Sequence, residues 1–150
     1  MPDSSVMAVE LIRSPRLYSG APYAYAAIAY PAAAPPAAAH PAAGFVFTAG
    51  ACPLDADGRV VAPGDIAEQA RVAVKNLFIA LEECGSGVRD VLKSTVYVAS
   101  GTRADLVTAW NEVAAAFGDH DAPSTLLGVA VLGYEDQLVE IEAIAVAGSR

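Results

Sequence analysis

The chain has 150 residues, 55% hydrophobic and 17% charged, which suits one folded domain and excludes an intrinsically disordered chain. A formal net charge of −8, with nine Lys plus Arg and no run of them, excludes the basic surface that nucleic acid or anionic lipid requires. The two cysteines, Cys52 and Cys84, are too few for a disulfide scaffold, and no stretch is apolar for long enough to read as a transmembrane helix.

The segment MPDSSVMAVELIR has an early acid and no long apolar run, so a signal peptide is not expected and a cytoplasmic location is. AVELI (8–12) reads as a short strand. SPRLYSGAPY (14–23) holds two prolines and reads as loop. AYAAIAY (24–30) is the next strand. PAAAPPAAAHPAAG (31–44) has four prolines, which forbid a helix or a central strand. It reads as an exposed insertion, with His40 solvated inside it. FVFTAG (45–50) is a strand ending in a glycine turn. ACPLDADGRVV (51–61) is built on a turn at Asp57-Gly58.

The clearest helix is 63–85. Asp65 is its expected N-cap and Glu68 the partner of a capping box. Ile66, Ala70, Ala73, Leu77, Leu81 and Cys84 form one apolar stripe, and Gly85 ends the helix. DVLKSTVYVA (90–99) is a strand, with Leu92, Ser94, Val96 and Val98 facing one way and Lys93, Thr95 and Tyr97 the other. A second helix spans 102–118, where Thr102 and Asp105 suggest a weaker box. Leu106, Trp110, Val113 and Phe117 form its stripe. DHDAPS (119–124) is loop. TLLGVAVL (125–132) and QLVEIEAIAV (137–146) are the last strands, joined by GYED.

The last strand poses a problem of polarity. Val139, Ile141, Ala143 and Ala145 share one apolar face, while Glu140 and Glu142 lie on the other. Unpaired buried carboxylates are costly, so water, a cation or a partner chain must offset them. The order β, β, β, α, β, α, β, β implies an α+β fold with both helices on one face of a mixed sheet. The other face carries Lys93, Thr95, Tyr97, Glu140 and Glu142 among apolar residues, and no helix remains to cover it. Together with the alanine-rich apolar fraction, this points to burial against further copies of the chain.

APY (21–23), VFTAGACPLDADG (46–58), GDIAEQARVAVKNLFIALEECG (64–85), DVLKSTVYVAS (90–100) and VEIEAIAV (139–146) follow in an order and spacing that resembles the RidA family, also called YjgF/YER057c/UK114. The resemblance spans about residues 15–147 apart from the Pro/Ala-rich insertion. It implies a chorismate mutase-like fold and a homotrimer with inward-facing sheets and ligand clefts between subunits. It also implies hydrolysis of reactive imines and enamines. No cofactor is expected, and no metal either: His120 between two aspartates hints at one, but further spaced His or Cys ligands are missing. By resemblance Glu140 positions the attacking water, Tyr23 lines the pocket, and Gly50 is the glycine of the early turn, with Ala49 where serine is common. Ala51 and Cys52 follow it at the pocket border. The position of the family's carboxylate-binding arginine falls on Thr125 or Ser124, neither of them basic. Trp110 or Asn111 falls where a helix-borne asparagine is common.

Exchange of a guanidinium for a hydroxyl removes about 2–5 kcal/mol of paired-charge binding and returns about 1 kcal/mol. A neutral or cationic imine or amine is therefore the expected ligand, unless Arg16 or Arg103 enters the cleft. His120, between Asp119 and Asp121, lies just upstream as a candidate proton carrier or as part of a plain turn. Cys52 reads as a small buried residue, since no local base or cation activates it. Glu142 reads as structural, with Lys93 pairing Glu140 or Glu142 across strands. Three functions remain open: an imine or enamine hydrolase, a non-catalytic small-molecule-binding trimer, and a ribonuclease. Acidity argues against the last.

Overall fold

The fold is that of a computed structural model described over residues 8–31 and 44–147. The Pro/Ala-rich insertion expected at 31–44, with His40, lies outside the described residues except for its two ends. Six strands and two helices follow in the order expected from the sequence. The strands are β1 (Ala8–Ile12), β2 (Ala26–Tyr30), β3 (Phe45–Thr48), β4 (Val91–Val98), β5 (Ser124–Gly128) and β6 (Val139–Val146). Helices α1 (Ile66–Glu83) and α2 (Arg103–Phe117) lie on either side of β4 in the chain. The sheet order is β1-β2-β3-β6-β4-β5. All pairs are antiparallel except β4–β5, which run parallel. α2 is the crossover that a parallel pair requires.

β5 departs from the sequence reading. It ends at Gly128 rather than at residue 132, so its connection to β6 spans 129–138 rather than a four-residue turn, and the two strands are not neighbours in the sheet. β4 intervenes between them. The apolar residues Val129 and Val131 lie beyond the strand, and Val131 is exposed. β4 also carries an irregularity between Val91 and Lys93 in its pairing with β6. One extra residue at such a bulge reverses the facing of what precedes it. Val91 is therefore buried and Leu92 exposed, the opposite of the expected facing for Leu92.

The helices cover one sheet face. Ala70, Ala73, Leu77 and Leu81 of α1 and Ala109, Val113 and Phe117 of α2 pack on Val46, Val96, Val98, Val139, Ile141, Ala143 and Ala145. Asp65 caps α1 by accepting from the Glu68 N–H at 3.0 Å. The reciprocal half of the box is absent, because the Glu68 carboxylate turns to Arg71. At α2 the expected box is rebuilt through Ser100. Its hydroxyl donates to Asp105 (2.6 Å) and accepts the Thr102 N–H (3.1 Å).

Gln69 lies on the buried side of α1 with no exposed surface. Its Nε2 donates to the Ala62 and Asp136 carbonyls at 3.2 and 2.9 Å, and its Oε1 accepts the Leu138 N–H at 2.7 Å. It ties α1 to the turn that precedes β6. A Gln69→Leu substitution strands two carbonyls and one N–H in the interior. It is expected to cost about 3 kcal/mol, read as a lower urea midpoint with an unchanged m-value.

Candidate functional site

The uncovered sheet face is organised in cross-strand rows set by register. Leu11, Ala27, Phe47, Ile144 and Lys93 form one row. Val9, Ala29, Phe45 and Val146 form the next. Towards the other end, Glu142 aligns with Thr95 and Thr125, and Glu140 with Tyr97 and Leu127. The two glutamates thus share the open face with Thr95 and Tyr97, as the strand alternation predicts, but their surroundings differ.

Glu142 accepts a hydrogen bond from the Tyr97 hydroxyl at 2.7 Å. That bond, foremost, raises the Tyr97 pKa by holding its proton. Lys93 forms no ion pair with Glu140 or Glu142. Its register partner on β6 is Ile144, and its ammonium donates instead to Thr125 Oγ1 at 2.9 Å. Lys93, Thr95, Glu142 and Thr48 border a cavity of about 270 Å³ on this face.

Glu140 leans the other way, over the loop after β3. That loop is pinned to β6 by two bonds between Ala51 and Ile141 (Ala51 N–H to Ile141 O, 2.7 Å; the reverse, 3.2 Å). Gly50 is thereby pressed against Glu140, and a β-carbon at Gly50 would overlap Glu140 Oε1. The glycine is required by this close approach and not by its backbone angles. The second oxygen, Oε2, accepts a hydrogen bond from Gln137 Nε2 at 3.0 Å.

Tyr23 reaches the same place from the early loop. Its ring meets Tyr25 edge-on at 6.0 Å, and its hydroxyl lies 3.3 Å from that of Tyr134. Arg13, which the sequence reading passed over, holds this loop by donating to the Ala21 and Tyr23 carbonyls, both at 3.1 Å. Burial, and then the hydrogen bond with Tyr134, raise the Tyr23 pKa, so the phenol stays protonated. Tyr18, Tyr23, Tyr25, Ala49, Ala51 and Cys52 line a small adjoining cavity of about 20 Å³, room for about one water.

Cys52 sits among Glu140, Gln137 and Tyr23. Burial, and then the Glu140 charge, push its thiol up to about 12, so it is no nucleophile at neutral pH.

The remaining expected residues lie elsewhere in the chain. Ser124 and Thr125 alternate, so their side chains point to opposite faces. Ser124 bonds to the Ser94 hydroxyl and to Ala122 O (3.1 Å) on the helix side. Only Thr125 looks onto the open face. Trp110, His120 and Ser124 line a groove of about 180 Å³ beside α2. His120 Nε2 lies 2.9 Å from the Val91 carbonyl, to which it donates, and Asp119 pairs with Arg89 at 2.8 Å. Within one chain this group is separated from Glu140 by the sheet. Arg16 is engaged with Glu82 at 2.7 Å, and Arg103 is exposed at the start of α2. Sequence reasoning missed Gln69, Arg13, Tyr134 and Gln137. A glutamine on the buried flank of the α1 stripe is the one of these with a readable signal.

The raised thiol pKa has a consequence for stability. Above the ordinary thiol value of 9.0 the unfolded chain loses the Cys52 proton, while the folded chain keeps it until about 12. Stability from this group is full below pH 9.0 and declines as the pH rises towards 12. The urea midpoint is expected to fall between about pH 8 and about pH 10.5, and to fall less in Cys52→Ala.

The family model described as endoribonuclease L-PSP matches residues 27–147. A RutC family protein of Pyrococcus abyssi is 34% identical over 103 residues, covering 67% of this chain and 77% of the relative. A protein of Salmonella typhimurium named 2-iminobutanoate/2-iminopropanoate deaminase is 36% identical over 104 residues, covering 67% of this chain and 78% of the relative. The crystal structure of Escherichia coli TdcF with bound serine superposes with a TM-score of 0.69 at 26% identity, covering 93% of this chain and 99% of that one. A sheet with two helices on one face, the glutamate-bearing last strand and these matches lead to one conclusion: the chain belongs to the RidA (YjgF/YER057c/UK114) family.

Proposed function

We propose that this protein hydrolyses a small imine or enamine to a carbonyl compound and ammonium. The observation that carries this reading is the Glu140 carboxylate, one oxygen tied to Gln137 and the other set against the bare α-carbon of Gly50. A relative 36% identical to this chain is named as an imine deaminase, which supports the reaction class. In the reaction, Glu140 accepts a proton from water as the oxygen bonds to the C=N carbon. The π electrons of C=N pass to nitrogen. Glu140 returns the proton to nitrogen, giving the carbinolamine; its hydroxyl then passes its proton through Glu140 to nitrogen as the C–N bond breaks, so the carbonyl forms and ammonia leaves, taking a further proton from solvent as ammonium. Tyr23, kept protonated by burial, supplies an O–H donor to the reacting polar atoms.

The substrate proposed is neutral or an iminium. Arg16 is engaged with a carboxylate, Arg13 with carbonyls, and Ser124 and Thr125 offer hydroxyls where the resemblance expects the anchoring arginine. An acidic pocket favours the charged iminium form. A second reading rests on Lys93, whose ammonium sits on Thr125 Oγ1. There it stands in for the guanidinium, and the substrate is an anionic imino acid.

The pocket in this proposal is completed by further copies in a homotrimer with inward-facing sheets. Leu11 (71% exposed), Val9, Phe45, Phe47 (49%) and Leu127 all lie on the open face, a large apolar area for a monomer to expose. A mass near three times the chain's 15.3 kDa is expected from light scattering, and Phe47→Glu is expected to give monomers. A monomeric wild type removes the cleft and with it the proposal.

Imines made in place by an amine oxidase (neutral and cationic) or an amino-acid oxidase (anionic) test the chemistry. The protein is expected to speed ammonium release from the neutral and cationic set, and Glu140→Gln to lose about a hundredfold or more. Acceleration of the anionic set, with KM raised about tenfold or more in Lys93→Met, selects the second reading. No acceleration of any imine leaves a small-molecule-binding trimer. The net charge of −8 gives no support to ribonuclease action.

A further inference from the structure

Gln137 is 3% exposed, and each polar group of its side chain is used. Oε1 accepts the Tyr134 N–H at 3.1 Å. Nε2 donates to the Val139 carbonyl at 3.2 Å and to Glu140 Oε2 at 3.0 Å. The orientation of the amide is over-determined. Its oxygen must face the Tyr134 donor, and its nitrogen must face a carbonyl and a carboxylate, both acceptors only. The backbone repeats the tie, since the Gln137 N–H donates to the Tyr134 carbonyl at 3.2 Å. One side chain therefore holds the turn that presents the Tyr134 hydroxyl to Tyr23, and it grips the carboxylate beside Gly50.

We propose that Gln137 is a positioning residue for Glu140, fixing which carboxylate oxygen faces the reacting water. The proposal rests on the reading of Glu140 as the water-orienting group. The terminal torsion of a glutamate is broad and nearly two-fold, so a carboxylate without a fixed donor samples many orientations. Donation from Nε2 occupies Oε2 in a partly buried setting with a charge-assisted bond. Steric closeness to Gly50 limits movement on the Oε1 side. Oε1 is then the oxygen left to accept a proton. The Tyr134 hydroxyl, placed by the same glutamine, is carried into the pocket alongside.

Gln137→Met keeps the length and apolar bulk of the side chain and removes its donors and acceptor. It is expected to lower kcat about 10–100-fold while KM changes less than about threefold, since misplacement of a reacting group is read in kcat. In a Glu140→Gln background the same substitution is expected to cause no further loss, because the two act as a unit. Gln69→Leu controls for the turn: it loosens the same turn at Asp136 and Leu138 without touching Glu140, and is expected to lower the urea midpoint while losing far less kcat. A fall in urea midpoint with kcat unchanged, or losses that simply add in the double variant, would show that Gln137 only braces the turn.

A readout without turnover separates this inference from the proposed reaction. In 15N-labelled protein the Gln137 side-chain amide protons are expected to exchange slowly with solvent and to shift in Glu140→Ala. An amide signal indifferent to Glu140 overturns the clamp even if imines are hydrolysed. A signal that shifts while no imine is hydrolysed keeps the clamp and rejects the reaction.

Discussion

The placement of β6 between β3 and β4 is the constraint from which the rest follows. Its backbone is paired on both sides, so the side-chain alternation of VEIEAIAV cannot slip. Val139, Ile141, Ala143 and Ala145 are committed to the helix layer, where α1 and α2 seal them. Glu140 and Glu142 are thereby forced onto the open face. A one-residue slip would bury two carboxylates under the helices, at a cost no neighbouring apolar contact offsets. The same alternation that builds the core delivers the acids to the site.

Two carboxylates on one strand are then given different tasks by their neighbours. Glu142 meets the Tyr97 hydroxyl across the strand pair, which satisfies it within the sheet. Glu140 lies at the start of the strand, where the loop after β3 doubles back and brings Gly50 against it. The difference comes from what each side chain finds beside it, since the residue type and the face are the same. Buried glutamines complete the arrangement. Gln69 fixes the turn before β6 to α1, and Gln137 fixes that turn to Glu140. Neither carries charge, so both can be buried fully bonded without the desolvation cost of an ion.

Much of this was legible in the residues. The α1 stripe from Ala70 to Cys84, the α2 stripe and the alternation of β4 and β6 have strong periods, and each element appears in its expected order. Alternation alone puts Leu92 on the wrong face, because a bulge leaves no mark in an apolar-rich strand. It also overextends β5, because Val129 and Val131 are apolar without being strand, a matter of pairing rather than propensity. Glu140, Gly50, Tyr23, Ala51 and Cys52 do converge in one chain. Ser124, Trp110 and His120 gather at a different groove, on the helix side of the sheet.

The sequence by itself determined the α+β class, the helix faces and the exposure of two glutamates on one side of the last strand. These depend on local periodicity, which each segment carries alone. Tertiary structure decided which glutamate meets Tyr97 and which meets Gly50. It also decided that Lys93 rests on Thr125 instead of a carboxylate, and that Gln137 reaches Glu140. Those outcomes depend on strand order, register and loop return, which bring together side chains with no relation along the chain. A polar residue's partner is a property of the folded neighbourhood, and only closure of the sheet creates that neighbourhood.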